Sequence, residues 1–288
     1  MAALGRRLFH EPRLSRDGTL SCASCHKPEL AFTDGKTTAE GVQARKGTRN
    51  TPTIINRALG ARQFWDGRAA TLEEQALGPI ANPLEMDLPL PRALAILNAD
   101  AGYVAEFRAV FGAGPDEEKL ALALSAYERT VWSVDSPFDR FLAGDEAALS
   151  PSARRGLELF GGRARCSECH TGINFSDEEF HVLGVSKDPG RATVTGKPEH
   201  TGAFKTPTLR DVARTAPYMH DGSLRTLAEV VAYYDRGGNP VKNLDHRMTP
   251  LKLSAQEQAD LVAFLESLSG RIVELGLTSN AEPAVHGK

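Results

Sequence analysis

No stretch of this 288-residue chain supplies the ~20 consecutive apolar residues that a bilayer-spanning helix needs; its apolar runs are short and broken by Arg, Asp or Gly. A surplus of one charge is also missing. The 34 Lys and Arg residues against 37 Asp and Glu leave a formal charge of −3, without blocks of like sign. Such a surface has no field to hold nucleic acid or a charged membrane. Alternating strand patterns are nearly absent, which argues against an all-β fold. The opening Met1-Ala-Ala-Leu-Gly-Arg-Arg lacks the apolar core of a secretory signal, so the chain is either cytosolic or numbered without its signal. What remains is a chain with 41% hydrophobic residues, enough to bury a real core in one large domain or two ordinary ones.

Cysteine is scarce, and all of it is accounted for. Cys22 and Cys25 precede His26, and Cys166 and Cys169 precede His170, with none left over. Each cluster reads C-x-x-C-H, the attachment signature of c-type haem: two thiols add to the vinyl groups as thioethers and the adjacent histidine reaches the iron. A structural zinc site would need the clusters to meet around one metal, or histidines at finger spacing. A pair of dithiol redox motifs would leave both following histidines unexplained. Two covalently bound haem c groups are therefore expected. Because haem is attached outside the bacterial inner membrane, a periplasmic location is expected too, with the signal peptide absent from this numbering.

The chain also repeats itself. After the first C-x-x-C-H come Arg49-Asn50-Thr51-Pro52-Thr53 and then Asp66-Gly67 and Thr71-Leu72-x-Glu74; after the second come Lys205-Thr206-Pro207-Thr208, then Asp221-Gly222 and Thr226-Leu227-x-Glu229. Thr51 precedes Asp66, and Thr206 precedes Asp221, by the same interval. Thr71-x-x-Glu74 and Thr226-x-x-Glu229 each read as a capping box opening a helix. Further helices are expected at 91–98, 103–112, 116–132, 151–160 and 254–268, the last opened by Ser254-Ala-Gln-Glu257. The fold class is mainly α: two cytochrome c-like domains related by internal duplication, each with one haem c. The expected boundaries are 1–135, 136–270 and a loose tail over 271–288, with the break where Asp135-Ser-Pro137 and Gly144-Asp interrupt the helical pattern.

Superposing the repeats sets Gln75 opposite Val230, Pro79 opposite Tyr234 and Trp65 opposite His220. If the capped helices lie across the haems from the C-x-x-C-H histidines, the first haem faces a proline, which cannot bind iron, with Gln75 and Glu85 nearby. The second faces a tyrosine, which can. The asymmetry suggests one open haem for an oxidant and one closed haem for storing or passing an electron.

Leu-Ser-Cys-Ala-Ser-Cys-His, Arg-Asn-Thr-Pro-Thr, Phe-Trp-Asp-Gly-Arg, Thr-Leu-Glu-Glu-Gln, Thr-Pro-Thr-Leu-Arg and Ala-Pro-Tyr-Met-His-Asp-Gly-Ser-Leu occur in that order. In these motifs the chain resembles the bacterial di-haem cytochrome c peroxidase and MauG family over about residues 5–270. The resemblance implies a peroxide-using enzyme with Trp65 as the electron relay between the haems and Gln75 and Glu85 as the distal peroxide residues, Glu85 moving the proton. It also implies His26 on the first iron, His170 on the second, and a calcium ion between the domains held by Asn50 and the backbone carbonyls of Thr215 and Pro217.

Two departures bear on the branch. Many cytochrome c peroxidases carry a capping histidine seven residues before the Arg of the Arg-Asn pair, and here that position is Val42. Those enzymes ligate the second haem with a methionine where this chain has Tyr234, as in MauG; Met248 is the rival ligand. Tyr233, Met219 and His220 read as packing or hydrogen-bonding residues. The resemblance thus implies MauG-like chemistry, in which hydrogen peroxide raises the haem pair to a high-valent state that oxidises Trp or Tyr residues of a partner protein by long-range electron transfer. MauG's exit tryptophan corresponds to Ala164 here, so any exit route differs, and Trp132 is the remaining tryptophan. The alternatives are a peroxidase that reduces peroxide to water with electrons from a small redox protein, and a plain di-haem electron carrier.

Overall fold

Two glycines set the packing of the two halves. A Cβ on Gly5 would lie 1.8 Å from the Ala123 carbonyl oxygen, and one on Gly156 would lie 1.9 Å from that of Asp260. In each half, then, an N-terminal helix crosses a C-terminal helix at a point where only a glycine lets the backbones touch. The computed structural model describes residues 1–277. The first half contains α1 (Ala2–Phe9), α2 (Cys22–Cys25), α3 (Leu72–Ala81), α4 (Leu90–Ala99), α5 (Ala101–Phe111), α6 (Glu117–Glu128) and β1 (Val131–Val134). The second contains α7 (Pro137–Leu142), α8 (Pro151–Gly161), β2 (Phe180–Val182), α9 (Ala192–Thr195), β3 (Ala203–Lys205), α10 (Leu227–Asp235), α11 (Ala255–Glu266) and β4 (Arg271–Glu274).

The crossings are α1 on α6 and α8 on α11, and they bury equivalent aromatics. Phe9 meets Tyr127 and Phe160 meets Phe264, each pair with ring centroids 5.0 Å apart. Such aromatic contacts contribute about 0.5–1.5 kcal/mol beyond area burial. Around them form two separate cores. One runs from Leu4 to Val131, the other from Phe138 to Leu268, where Phe138 and Phe175 join the aromatic cluster. No described helix is long and apolar enough to cross a membrane.

The capping residues act as their types dictate, with one variation. Thr226 accepts from the Glu229 amide while Glu229 takes the Thr226 amide in return, a complete box. Thr71 likewise accepts from the Glu74 amide, but Glu74 reaches one residue further back, to the Ala70 amide.

Two expectations are corrected. The helix expected over 116–132 stops at Glu128, and Val131–Val134 is a strand. The tail expected to be loose from 271 begins as β4, antiparallel to β1 with Trp132 opposite Val273 and Ser133 opposite Ile272. The physical reason is packing at long range: Ile272 and Leu277 lie on the first core, Tyr127 donates to Glu274, and Arg6 pairs with Glu274. The chain therefore returns to the first domain after completing the second. Residues 278–288 of that expected tail lie outside the described residues. Helix α1 is an element that sequence periodicity over eight residues does not reveal. Its signal is the repeat Gly5-x-x-Leu8-Phe9 with Gly156-x-x-Leu159-Phe160.

Replacing Gly156 by alanine should lower the stability of the holoprotein by about 1–3 kcal/mol, because the Asp260 backbone cannot yield without separating α8 from α11. The shift of the guanidinium unfolding midpoint at constant m-value measures it; an unchanged midpoint would show that the crossing is looser than described.

Candidate functional site: two C-x-x-C-H pockets in one cavity

Each C-x-x-C-H histidine is held by one hydrogen bond of the same kind. His26 Nδ1 lies 3.0 Å from the Phe32 carbonyl and His170 Nδ1 lies 3.0 Å from the Phe175 carbonyl. A carbonyl only accepts, so Nδ1 carries the proton and the Nε2 lone pair is left for a metal. Burial lowers the pKa of both imidazoles, which keeps them neutral, as ligation requires.

The Thr-Pro-Thr repeats explain why those carbonyls are in place. Thr53 Oγ1 donates to the Ala31 carbonyl at 2.7 Å, and Thr208 Oγ1 donates to the Asn174 carbonyl at 2.8 Å. Each threonine thereby braces the residue next to the carbonyl that grips the histidine. The bends themselves put Phe32 and Phe175 at positive φ, an unfavourable conformation for a bulky residue that the surrounding bonds must maintain.

The four cysteines are free of disulfides and half-buried. Burial and the neighbouring Glu128 push the Cys22 thiol up to about 12, and burial pushes Cys166 to about 12 and Cys25 to about 11. Redox C-x-x-C pairs work through depressed thiol pKa values, so this environment suits uncharged thioethers. Among the described residues one cluster has metal-ligand character, Cys169 with Asp177 and His181. The His181 nitrogens are taken by Asp177 at 2.9 Å and Asp245 at 2.8 Å, which leaves no lone pair for zinc.

Both motifs open into one continuous cavity of about 700 Å³. It is also lined by Trp65, Gln75, Glu85 and Pro79 from the first half and by Val230, Tyr234 and Met248 from the second. Gln75 and Pro79 stand on α3; Val230 and Tyr234 stand at the matching places on α10. Glu85 has its pKa raised by burial, against a 2.6 Å hydrogen bond from Asn82 Nδ2. Its backbone is packed under Gly41, whose Cβ position would lie 2.5 Å from the Glu85 carbonyl oxygen, and Val42 N–H donates to that same carbonyl. Val42 is buried and does not line the cavity. Burial and the nearby Cys166 and Cys169 raise the Tyr234 pKa, and among the described residues its hydroxyl has no hydrogen-bond partner. Tyr233, by contrast, donates to the Leu183 carbonyl at 2.7 Å.

The two pockets meet at a seam with two-fold logic. Asn50 N–H donates to the His220 carbonyl at 2.8 Å, and its counterpart Lys205 N–H donates to the Trp65 carbonyl at 2.8 Å. Trp65 Nε1 donates to the Asn50 carbonyl at 2.8 Å and packs edge-on to His220, which stacks on Phe204 and bonds Ser186 Oγ. Arg49 pairs with Asp66 of its own half and Asp188 of the other, and Arg57 with Glu178. Asn50, Thr215 and Pro217 also line the cavity, and among the described residues neither Asn50 Oδ1 nor the Thr215 and Pro217 carbonyls accept a hydrogen bond. Trp132 lies away from the cavity, donating to the Arg129 carbonyl.

Two neutral imidazoles, two thiol pairs and a shared cavity define a di-haem c-type cytochrome. A family model for the di-haem cytochrome c peroxidase matches residues 1–147, and one for cytochrome c matches residues 153–269. The methylamine utilization protein MauG of Methylorubrum extorquens is 43% identical, covering 92% of this chain and 77% of that protein. The cytochrome c551 peroxidase of Pseudomonas aeruginosa is 38% identical, covering 93% and 78%. A solved structure of a MauG-like protein associated with microbial copper homeostasis superposes with a TM-score of 0.85 at 36% identity, covering 93% of this chain and 89% of that one. The chain belongs to the di-haem cytochrome c peroxidase and MauG family, and is an oxidoreductase with haem c cofactors that acts with peroxide and a protein substrate or redox donor.

Sequence reasoning passed over Glu128 and Lys205, both buried and both lining the cavity. Lys205 was visible as the counterpart of Asn50. Glu128 gave no signal, because one acidic residue ending a helix is ordinarily solvated.

Replacing Thr208 by valine should cost about 1–3 kcal/mol of holoprotein stability, since the buried Asn174 carbonyl loses its donor. Denaturant unfolding followed at the haem absorption measures it; the equivalent Thr53→Val change in the first half should behave alike.

Proposed function

We propose that this protein is a MauG-like enzyme of the periplasm that uses hydrogen peroxide to oxidise Trp or Tyr residues of a partner protein through its two haems. The observation that carries this reading is Tyr234, a half-buried phenol without a hydrogen-bond partner among the described residues, on the helix that lines the second haem pocket. Burial alone keeps such a phenol protonated; only a cation at the oxygen would release its proton. With a haem held by His170, a Tyr234 phenolate would be a hard anionic ligand that favours the oxidised states of iron, whereas a methionine such as Met248 would favour the reduced state. In the first pocket Pro79 offers no ligating atom and buried Val42 presents no imidazole to the cavity, so a haem held by His26 would be left open to peroxide.

The haem supplies the redox chemistry, and the chain positions protons and reactants. Glu85, held by Asn82 and with its pKa raised, takes the proton from the near oxygen of peroxide and delivers it to the departing one. Gln75 orients the peroxide by hydrogen bonding. Trp65, fixed by its bond to the Asn50 carbonyl, stands at the seam as the relay between the haems. A calcium ion on Asn50, Thr215 and Pro217 would brace the same seam.

The test begins with EPR and optical spectra of the resting ferric protein, followed by one equivalent of peroxide. One high-spin and one low-spin haem, with an oxidised state that forms without prior reduction, is expected. Two low-spin haems, or reaction only after one-electron reduction, would overturn the reading in favour of a cytochrome c peroxidase. Within the same assay, Glu85→Gln should slow the reaction with peroxide by about 10²–10⁴-fold, read by stopped-flow absorbance; a wild-type rate would remove Glu85 from the proton path.

A further inference from the structure

The two helix crossings supply an internal control for every residue facing a haem pocket. Gly5 on Ala123 corresponds to Gly156 on Asp260, and Phe9 on Tyr127 corresponds to Phe160 on Phe264. The same register places Leu124 of α6 at the position of Leu261 on α11, and Glu128 at that of Leu265. All four line the cavity. The second pocket is therefore apolar where the first carries a carboxyl group, and nothing in the proton path assigned to Glu85 uses it.

Glu128 is 5% exposed, and among the described residues its Oε2 has no hydrogen-bond partner. The surrounding charges are committed elsewhere. Arg57 is bound to Glu178, Gln63 and the Arg62 carbonyl. Arg129 holds Glu73 of α3 through two hydrogen bonds. From α1, Arg6 pairs with Glu274, and burial keeps the pKa of His10 low. Cys22 on α2 carries no charge as a thioether, and Glu85 adds a second acidic group to the same cavity. Burial pushes the Glu128 carboxyl up to about 8, against Arg129 and Arg57. A buried carboxylate without a partner costs several kcal/mol, so its ionisation is governed by whatever charge fills the pocket.

We propose that Glu128 is a redox-linked proton acceptor of the first haem pocket, taking up one proton from solvent when the iron of that haem takes up one electron. The step balances as ferric iron, one electron, one proton and the Glu128 carboxylate giving ferrous iron and the Glu128 carboxylic acid. The electron comes from a small redox protein or, in a titration, from a chemical reductant. The proposal rests on haem attachment to Cys22 and Cys25 and is independent of the branch of the family. The second haem, facing Leu265, carries its electron alone.

The extra positive charge of ferric iron stabilises the carboxylate and lowers its pKa; in the ferrous state the pKa is higher. Between those two values the midpoint potential of the first haem falls as pH rises, each pH unit changing the reduction equilibrium tenfold, or 59 mV for one electron. Outside that window it is level. Redox titration of the holoprotein at several pH values, followed by optical and EPR signals, measures this. In Glu128→Gln the pH-dependent segment of one of the two one-electron waves should disappear, and Glu128→Leu, which copies the second pocket, should show the same loss. The other wave should be unchanged. If both variants keep the wild-type slope, even with a midpoint displaced by a constant amount, Glu128 is a packing residue and the proposal fails. An unexpected spin state of the first haem would count against the open-haem reading alone and would leave this comparison intact.

Discussion

The architecture depends on a pair of exchanged backbone hydrogen bonds. Asn50 N–H reaches across to the His220 carbonyl, and Lys205 N–H reaches back to the Trp65 carbonyl. Each donor immediately precedes the Thr-Pro-Thr segment that braces its own C-x-x-C-H loop, and each acceptor immediately precedes the Asp-Gly turn that leads into the helix facing its own pocket. The exchange fastens the near wall of one pocket to the far wall of the other. Two separate cores therefore enclose one continuous cavity, with Trp65 and His220 at its middle. The partly buried ion pairs of Arg49 and Arg57 reinforce the seam.

Duplication built the scaffold, and side-chain substitution at matched positions divided the work. Proline stands opposite tyrosine, asparagine opposite lysine, tryptophan opposite histidine and glutamate opposite leucine. Every one of these differences faces the shared cavity. The repeated features, by contrast, hold the haem: the histidine with its carbonyl, the bracing threonine and the glycine crossing. Positions that attach the cofactor are alike in both halves because the attachment chemistry is the same. Positions that decide what the iron does differ.

The haem-attachment motifs, the duplication, the helical class and most helix positions were legible in the sequence because each depends on spacing within a short segment. A capping threonine and its glutamate lie within one turn, and the two cysteines and histidine within five residues. The return of 271–274 to pair with β1 was not legible. Four residues carry too little periodicity to announce a strand, and their partner lies some 140 residues away. Helix α1 escaped for a similar reason, although its Gly-x-x-Leu-Phe repeat was present to be compared.

The sequence by itself determined the cofactor class, since covalent attachment needs a fixed set of residue types at fixed spacing and no tertiary context to be recognised. It also determined that the two halves are unequal, through Tyr234 against Pro79. Only the tertiary structure decided which side chains share the cavity and in what electrostatic state. That a carboxyl at position 128 is buried without a partner, and that its counterpart is Leu265, follows from how α6 crosses α1 and how α11 crosses α8. Desolvation and the direction of a side chain are properties of packing, and packing joins residues far apart in the chain.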